Sequence, residues 1–213
     1  MADVERLSAE DEPYHREPIT YEAPYLDNLP TAQREKFAAN IAAIQKLKEI
    51  EQRVANGGSP AFEDEQRILA QYTGWGGLSD AFDPNKSAWS NEYSQLKAAL
   101  SESEYEAARS STLTAFYTPA TVIHPIYRAL ERFGVKGGKI LEPSMGTGAF
   151  LAHGHFGSSD AKFYGVELDS ITGRISKQLY QKANIQVTGY ENALLPDNYF
   201  DCVIGNVPFG NFQ

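Results

Sequence analysis

Two short stretches of this 213-residue chain carry residue types that could do chemistry together. The first, residues 142–150, follows the apolar segment 139–141 and contains an acid and then two glycines. The second, residues 206–210, follows the apolar segment 200–204 and combines a side-chain amide, a proline and an aromatic ring. Placed side by side, the two stretches would form a pocket for a nucleoside cofactor next to a slot that holds a planar amine.

The first stretch has the composition of a turn between a strand and a helix. Gly146 and Gly148 allow the backbone to turn sharply and to approach a ligand closely. Leu151 stands where the dinucleotide fingerprint requires a third glycine, so a pyrophosphate cofactor fits poorly. Glu142 is placed to pair with an ammonium group of a ligand. A purely structural turn is the alternative interpretation.

Two later acids also come at the ends of predicted strands. Glu167 lies 25 residues after Glu142, where a carboxylate can accept hydrogen bonds from the hydroxyl groups of a ribose. Glu191 and Asn192 follow the third predicted strand and could accept a hydrogen bond from a purine amino group. The alternatives are a solvated acid for Glu167 and a plain turn for the other two.

The second stretch, Asn206-Val207-Pro208-Phe209, is suited to holding an aromatic amine. Such an amine is a poor nucleophile and must be held with its lone pair toward the incoming methyl group. The side-chain oxygen of Asn206 and the backbone carbonyl of Val207 could accept its two hydrogens. Phe209 could stack on the ring, an interaction worth about 1–3 kcal/mol. The alternative is an incidental Asn-x-Pro turn after a strand.

The second half of the chain alternates short apolar segments with helical patterns. Strands are predicted near residues 139–141, 163–166, 185–188 and 200–204, with helices before and between them, which favours an α/β fold with a doubly wound parallel sheet. Ligands of such sheets bind outside the carboxyl ends of the strands. The tips of the first and fourth strands must therefore open into a common hollow. The sheet is expected to be truncated, since the chain stops at Gln213.

The first half predicts helices, and the chain divides into three parts. Residues 1–30 hold eight acids and two basic residues out of a net charge of −9, and we expect them to form an acidic flexible arm. Residues 31–115 are expected to form a helical domain, in which Ser101 and Glu104 predict a capping box and Trp75 a core anchor. Residues 116–213 form the α/β domain.

Composition narrows the function classes. No apolar run approaches the roughly 18 residues of a membrane span, and the N-terminus lacks the pattern of a signal peptide. The single cysteine, Cys202, cannot form an internal disulfide, so we expect a cytoplasmic protein. His153 and His155 lack partners at the spacing of metal ligands, so no metal site is expected. No dense basic stripe is present to bind duplex phosphates.

Taken together, these motifs resemble the gamma-type adenine-N6 DNA methyltransferases. That family has an aromatic-Thr-Pro segment, matched at residues 117–119, and an acid-Pro-x-x-Gly-x-Gly-x-Phe loop, matched at residues 142–150. Acids follow its second and third strands, and an Asn-Pro-Pro-aromatic motif closes the set, as at residues 206–209. With the segment 74–78, the chain from about residue 30 is similar to the N-terminal methylase part of large methylase–helicase proteins of phages, plasmids and conjugative elements.

The resemblance implies a Rossmann-like methyltransferase fold that uses S-adenosylmethionine. It implies cofactor-binding roles for Tyr117, Thr118, Pro119, Glu142, Pro143, Ser144, Gly146, Gly148, Phe150, Glu167, Leu168, Glu191 and Asn192. It implies that Asn206, Val207, Pro208 and Phe209 form the catalytic motif that holds a flipped-out adenine. Val207 departs from the family's first proline, which keeps the carbonyl but loosens the backbone. The family's target-recognition region would lie beyond Gln213.

Three hypotheses follow for the function. The first is a DNA adenine-N6 methyltransferase domain, truncated so that its grip on DNA comes from regions absent here. The second is an inactive remnant that binds the cofactor or a partner, with an exposed sheet edge open to self-association or to pairing with another chain. The third is a methyltransferase for glutamine amides in proteins. Whether this chain catalyses transfer alone is left open.

Overall fold

The computed structural model describes residues 17–21, 29–112, 118–154 and 161–207. Helices fill most of residues 29–112, as the sequence predicts. In chain order they are α1 (Gln33–Ala55), α2 (Glu63–Leu69), α3 (Ser90–Ala99) and α4 (Glu102–Ser111). Two short 3₁₀ turns, Ser79–Phe82 and Ser87–Trp89, lie between α2 and α3.

Helix α1 forms because its apolar residues recur at helical spacing along one side. That side is buried and consists of Phe37, Ile41, Ile44, Leu47 and Ile50. Val54 lies in the last turn of α1 but is 41% exposed, because the buried side ends one turn earlier. The helix stops at Asn56, and Gly57 takes the left-handed backbone conformation that terminates it.

The second half forms the predicted alternation of helices and strands. In chain order the elements are α5 (Ala120–Arg132), β1 (Gly138–Glu142), α6 (Ala149–Ala152), β2 (Ala161–Glu167), α7 (Ser170–Leu179), β3 (Asn184–Val187) and β4 (Cys202–Val203). The strands are parallel and lie in the order β3-β2-β1-β4. The strand order therefore reverses between β1 and β4, which is where a doubly wound sheet binds its ligand.

The helices of this half pack on one face of the sheet. Ile140 of β1 lies beside Phe163 of β2 in the register, and both pack with buried side chains of α5 and α6. Ile185 of β3 packs with α7. On the other face, Tyr164 contacts the rings of Tyr199 and Phe200. The connection from β3 to β4 therefore crosses the opposite face, as double winding requires.

One ionic cluster ties the helical half to the sheet half. Arg174 of α7 donates two hydrogen bonds of 2.7 Å to Glu51 of α1 and one of 2.7 Å to Glu104 of α4. Glu104 also accepts from Lys48, and it completes the predicted capping box with Ser101. Burial alone would raise the pKa of Glu104, but these hydrogen bonds outweigh it and lower that pKa to about 2.

A single buried cluster contains side chains from both halves. It extends from α1 and α2 through Tyr72 and Trp75 to Ile171 and Tyr180 beside the sheet. Gln66 of α2 adds hydrogen bonds from its side chain to the carbonyls at the end of α7. This buried cluster is continuous across the predicted domain boundary between residues 115 and 116. The division into two domains stays a prediction.

A short part of the expected flexible arm is docked on the sheet half. Tyr21 is 3% exposed, and its backbone N–H donates to the carbonyl of Leu179 at 2.8 Å. The N–H of Ile19 donates to the side-chain oxygen of Gln181, and the backbone N–H of Gln181 donates to the carbonyl of Ile19. At residues 19–21 a buried aromatic ring and backbone pairing therefore offset the loss of chain entropy, and the flexible arm over residues 1–30 stays a prediction. Within the described residues, no helix has the length and apolarity to cross a membrane.

Candidate functional site

A cavity of about 890 Å³ opens at the carboxyl ends of the strands. Its floor comes from the loop after β1 and the residues after β2, and its sides come from the segments after β3 and β4. The sequence-predicted residues that line it are Thr118, Glu142, Pro143, Ser144, Gly146, Phe150, Glu167, Leu168, Glu191, Asn206 and Val207. This is the position that the reversal of strand order favours for a ligand.

The tips of β1 and β4 share this hollow. The N–H of Ile204 donates to the carbonyl of Leu141 at 2.9 Å, which carries the pairing one residue past β4. A Cβ atom at Gly205 would lie 3.5 Å from Glu142 Cγ, so the chain after β4 runs beside the acid that ends β1. Asn206 follows directly and lines the same cavity. The juxtaposition that the sequence analysis required is therefore confirmed.

The loop after β1 depends on two glycines in the left-handed conformation. Gly146 has φ 55° and Gly148 has φ 78°. The N–H of Gly146 donates to Glu167, and its carbonyl accepts from the hydroxyl of Ser176 at 2.9 Å. Gly148 is the residue before α6 and faces the buried ring of Tyr180. The loop is therefore fixed by β2 and α7 rather than by its own sequence alone.

Gly148→Ala is expected to destabilise the fold by about 2–4 kcal/mol. The left-handed φ strains any Cβ, and here that Cβ would lie 2.3 Å from the Tyr180 ring. The ring cannot move freely, since its hydroxyl donates to the Thr147 carbonyl. Gly57→Ala is the matched control, because Gly57 has φ 83° and open space around its Cβ position. Urea unfolding should give a clearly larger loss for Gly148→Ala, and equal losses would contradict the close approach.

Glu142 is the most buried acid of the cavity. The residue is 2% exposed, and its Oε2 atom has no hydrogen-bond partner among the described residues. Burial, and secondarily the charge of Glu167, raises the pKa of Glu142 well above its ordinary value. A buried carboxyl group without a partner is costly, so it marks a place for a ligand that carries a complementary group.

Glu167 has a different environment in the same cavity. Its two carboxylate oxygens accept hydrogen bonds of 2.7 Å from the N–H groups of Gly146 and Asp169. Burial raises the pKa of Glu167, although these backbone hydrogen bonds oppose the shift. Each oxygen keeps a further lone pair for a ligand. Glu167 therefore holds the glycine loop in place and still has capacity to accept from ribose hydroxyl groups.

The end of β3 contributes an exposed acid rather than a buried one. Glu191 lies in a short 3₁₀ turn, Tyr190–Asn192, and its carboxylate accepts from the side chain of Asn192 at 3.0 Å. Both residues are exposed, as are Tyr190 and Leu168. Leu168 after β2 and Tyr190 after β3 therefore give the cavity two exposed apolar side chains that a flat ring could contact.

Some predicted site residues do not line the cavity. Pro119 precedes α5, Gly148 faces Tyr180, and Asn192 points to Glu191. The predictions for Tyr117, Pro208 and Phe209 lie outside the described residues.

The helical half supplies a wall of the cavity that the sequence did not reveal. Its lining residues are Tyr72, Gly74, Ala107, Ser110 and Ser111. The side chain of Asn40, which is fully buried in α1, donates to the Gly74 carbonyl at 2.6 Å and accepts from the Thr73 N–H at 2.8 Å. The glycine-rich break at residues 74–77 was the available signal. The prediction of Trp75 as a core anchor is confirmed, because Trp75 is buried among aromatic rings.

Comparison with known proteins identifies the family to which this site belongs. A family model described as N-6 DNA methylase matches residues 102–212, which is more than half of the chain. The chain belongs to the N-6 DNA methylase family. This membership confirms the resemblance to the adenine-N6 methyltransferases, a family that depends on S-adenosylmethionine, and the parallel sheet confirms the Rossmann-like fold. The match begins at α4, so α4 and the wall residues on it fall within the methylase region.

The N-6 DNA methylase chain also has curated relatives. It is 28% identical over 198 residues, or 92% of its length, to Defense against restriction protein B of Escherichia phage P1. It is 33% identical over 95 residues, or 44% of its length, to Modification methylase CviBIII of Paramecium bursaria Chlorella virus NC1A. The alignments span 7% and 25% of those two proteins. Among solved structures, the plantazolicin methyltransferase BpumL matches with a TM-score of 0.34 and 16% identity, over 76% of this chain and 49% of that one.

Proposed function

We propose that this chain binds S-adenosylmethionine in the cavity and holds the exocyclic amine of an adenine at Asn206, as a DNA adenine-N6 methyltransferase domain. The observation that carries the proposal is the shared cavity of Glu142 and Asn206. Glu142 offers a carboxyl group to the cationic methyl donor, and Asn206 offers an amide oxygen to the acceptor amine. Methyl transfer requires both groups within one hollow.

The cavity fits the charge and shape of the donor. S-adenosylmethionine carries a sulfonium and an ammonium group, and it supplies the methyl group when it is bound. Four acids line the cavity in its described part (Glu142, Glu167, Asp169 and Glu191), and no lysine or arginine does. The ammonium group suits the unpartnered oxygen of Glu142, and the ribose suits the remaining lone pairs of Glu167. The adenine ring suits the exposed apolar side chains of Leu168 and Tyr190 that line the cavity.

The residues after β4 are suited to orienting the acceptor amine. Asn206 and Val207 are exposed on the cavity wall, so a base can reach them. The Asn206 side-chain oxygen and the Val207 carbonyl would accept the two amine hydrogens, which directs the nitrogen lone pair toward the donor. Replacing proline by valine at position 207 leaves the carbonyl in place. The adenine must leave the base stack to enter, which costs a few kcal/mol and is easiest in single strands.

Calorimetric titration with S-adenosylmethionine, followed by transfer of labelled methyl groups to unmethylated DNA, tests the proposal. Binding and label in DNA adenine support it. Binding without transfer supports the alternative of an inactive, cofactor-binding domain, and label in protein supports the glutamine-amide alternative. No binding at all overturns the proposal. Single-stranded DNA should be the better acceptor, because base flipping then costs less.

We also propose that the free edge of β4 can pair with another chain. Within the described residues β4 pairs only with β1, and Val203 on it is 61% exposed. An unpaired edge with an exposed branched side chain favours association. Sedimentation velocity tests this: Val203→Lys should shift any dimer to monomer, and an unshifted distribution would contradict it.

A further inference from the structure

Glu142 is placed where a negative charge has little to stabilise it. Its side chain is at the end of β1, beneath the glycine loop and beside the chain that follows β4. The residue is 2% exposed, and Oε2 has no partner in the described structure. An isolated carboxylate in such a place is unstable relative to the protonated acid.

The groups around Glu142 do not offset that charge. Glu167 on β2 is a second carboxyl group in the same cavity, and its charge opposes ionisation of Glu142. Tyr127 on α5 donates its hydroxyl hydrogen to the Phe150 carbonyl at 2.8 Å. Tyr180, directly after α7, donates its own hydroxyl hydrogen to the Thr147 carbonyl at 3.0 Å. Both phenols therefore direct their hydrogens away from Glu142.

The remaining neighbours are also unable to act as counter-ions. Burial raises the pKa of the Cys202 thiol on β4, so this group is neutral at ordinary pH. Burial, and then the proximity of Glu142, raises the pKa of Tyr127 and of Tyr180, so both phenols are neutral too. No lysine, arginine or histidine lines the described part of the cavity. A positive charge must therefore come from a ligand.

We propose that Glu142 is protonated in the empty cavity and ionises when a cationic ligand binds, so that the site selects ligands by charge and releases a proton as it fills. The O–H bond of the carboxyl group breaks, the proton passes to the buffer, and the carboxylate pairs with the cation of the ligand. This inference rests on the proposed function, since the amino-acid end of S-adenosylmethionine supplies the ammonium group.

Ionisation of Glu142 on binding makes the affinity for a cationic ligand increase with pH. Below the raised pKa of Glu142, each ligand that binds must displace a proton, so affinity for a cationic ligand increases as pH rises. A ligand without the cation gains nothing from ionisation of Glu142, so its affinity should depend less on pH than that of the cationic ligand. Burial also raises the pKa of Glu167, but that carboxyl group meets the ribose of both ligands. The nucleoside 5′-methylthioadenosine is such a ligand, because it keeps the adenosine and a thioether but lacks the amino acid and the sulfonium charge.

Calorimetry in two buffers of different ionisation enthalpy measures the proton directly. The titrations run from about pH 5 to about pH 7, below the range in which α-amino groups lose their own proton. With S-adenosylmethionine, the wild-type chain should release up to one proton per ligand, and affinity should increase up to tenfold per pH unit. With 5′-methylthioadenosine the same chain should release up to one proton fewer, because any proton from Glu167 is common to both ligands. Glu142→Gln should bind S-adenosylmethionine with no more proton release, and no steeper pH dependence, than the wild-type chain shows with 5′-methylthioadenosine.

The outcomes separate this inference from the proposed function. S-adenosylmethionine that binds without proton release across this range overturns the inference and leaves the proposed function intact. Proton release that is equal in the wild-type chain and in Glu142→Gln, with that variant folded by circular dichroism, assigns the proton elsewhere and also overturns it. Failure of both ligands to bind overturns the proposed function and the inference together. The wild-type comparison of the two ligands stands even if the variant does not fold.

Discussion

Asn206→Ala is expected to reduce methyl transfer by about 100-fold or more and to leave the affinity for S-adenosylmethionine unchanged. The amide oxygen would be lost from the cavity wall, and with it one of the two acceptors that orient the amine. Removing one oriented polar group of this kind from an active site typically costs 10²–10³ in kcat. Asn206 is exposed and makes no hydrogen bond to another described residue, so stability should be unaffected. Rates of label transfer and calorimetric titration give the two quantities.

Asn192→Ala is the matched control for this experiment. It removes the same amide from an exposed asparagine that follows β3, at the other edge of the sheet, and Asn192 does not line the cavity. Transfer by that variant should stay within about twofold of the wild type, since surface substitutions away from a site have small effects. If the two variants lose activity equally, Asn206 has no special part in orienting the amine. If Asn206→Ala instead loses donor binding, the residue belongs to the cofactor side of the cavity.

The turn after β1 was predictable because the residue types that a turn requires lie next to one another in the sequence. The sequence places Gly146 and Gly148 directly after an apolar strand segment, and a left-handed backbone favours glycine whatever surrounds it. The parallel order of the strands then brings Glu142 and Asn206 to one edge, because carboxyl ends of parallel strands lie together. Local pattern and a general rule of topology were therefore enough to locate the cavity.

The wall from the helical half was not predictable in the same way. It depends on the side chain of Asn40, which contacts Thr73 and Gly74 more than thirty residues away. An asparagine inside a helix gives no local signal of such a partner. The docking of Tyr21 against α7 is equally long-range, since its partner Leu179 follows much later in the chain. Contacts of this kind become visible only when the whole core is assembled.

The role of Glu167 shows what strand-end reasoning can miss. The sequence suggested an acid that is free to accept from ribose hydroxyl groups. In the structure this carboxylate already accepts hydrogen bonds from two backbone N–H groups, those of Gly146 and Asp169. Gly146 belongs to the loop after β1, which lines the proposed S-adenosylmethionine site. An acid at the end of β2 therefore fixes the conformation of the loop after β1. Substituting Glu167 should therefore weaken S-adenosylmethionine binding by more than the loss of one ligand contact would.

Glu167→Gln is accordingly expected to weaken S-adenosylmethionine binding by about tenfold to 100-fold. A glutamine has one acceptor oxygen, so its NH₂ group must face the N–H of either Gly146 or Asp169. A buried donor then lacks a partner, and the charged acceptor for the ribose is lost, at a cost of roughly 1.5–3 kcal/mol. Calorimetric titration gives the change in affinity, and thermal unfolding shows how much of it comes from the loosened loop.

Glu191→Gln makes the same substitution in the same cavity and serves as the control. Glu191 is exposed, and its only described partner is the exposed side chain of Asn192, so water can replace what the substitution removes. Its affinity for the donor should fall by less than about threefold, in line with the small free energies of solvated polar contacts. Similar losses in the two variants would mean that the negative charge of the cavity as a whole attracts the donor. A loss confined to Glu167→Gln would mean that donor binding depends on the carboxylate that joins the β1 loop to the end of β2.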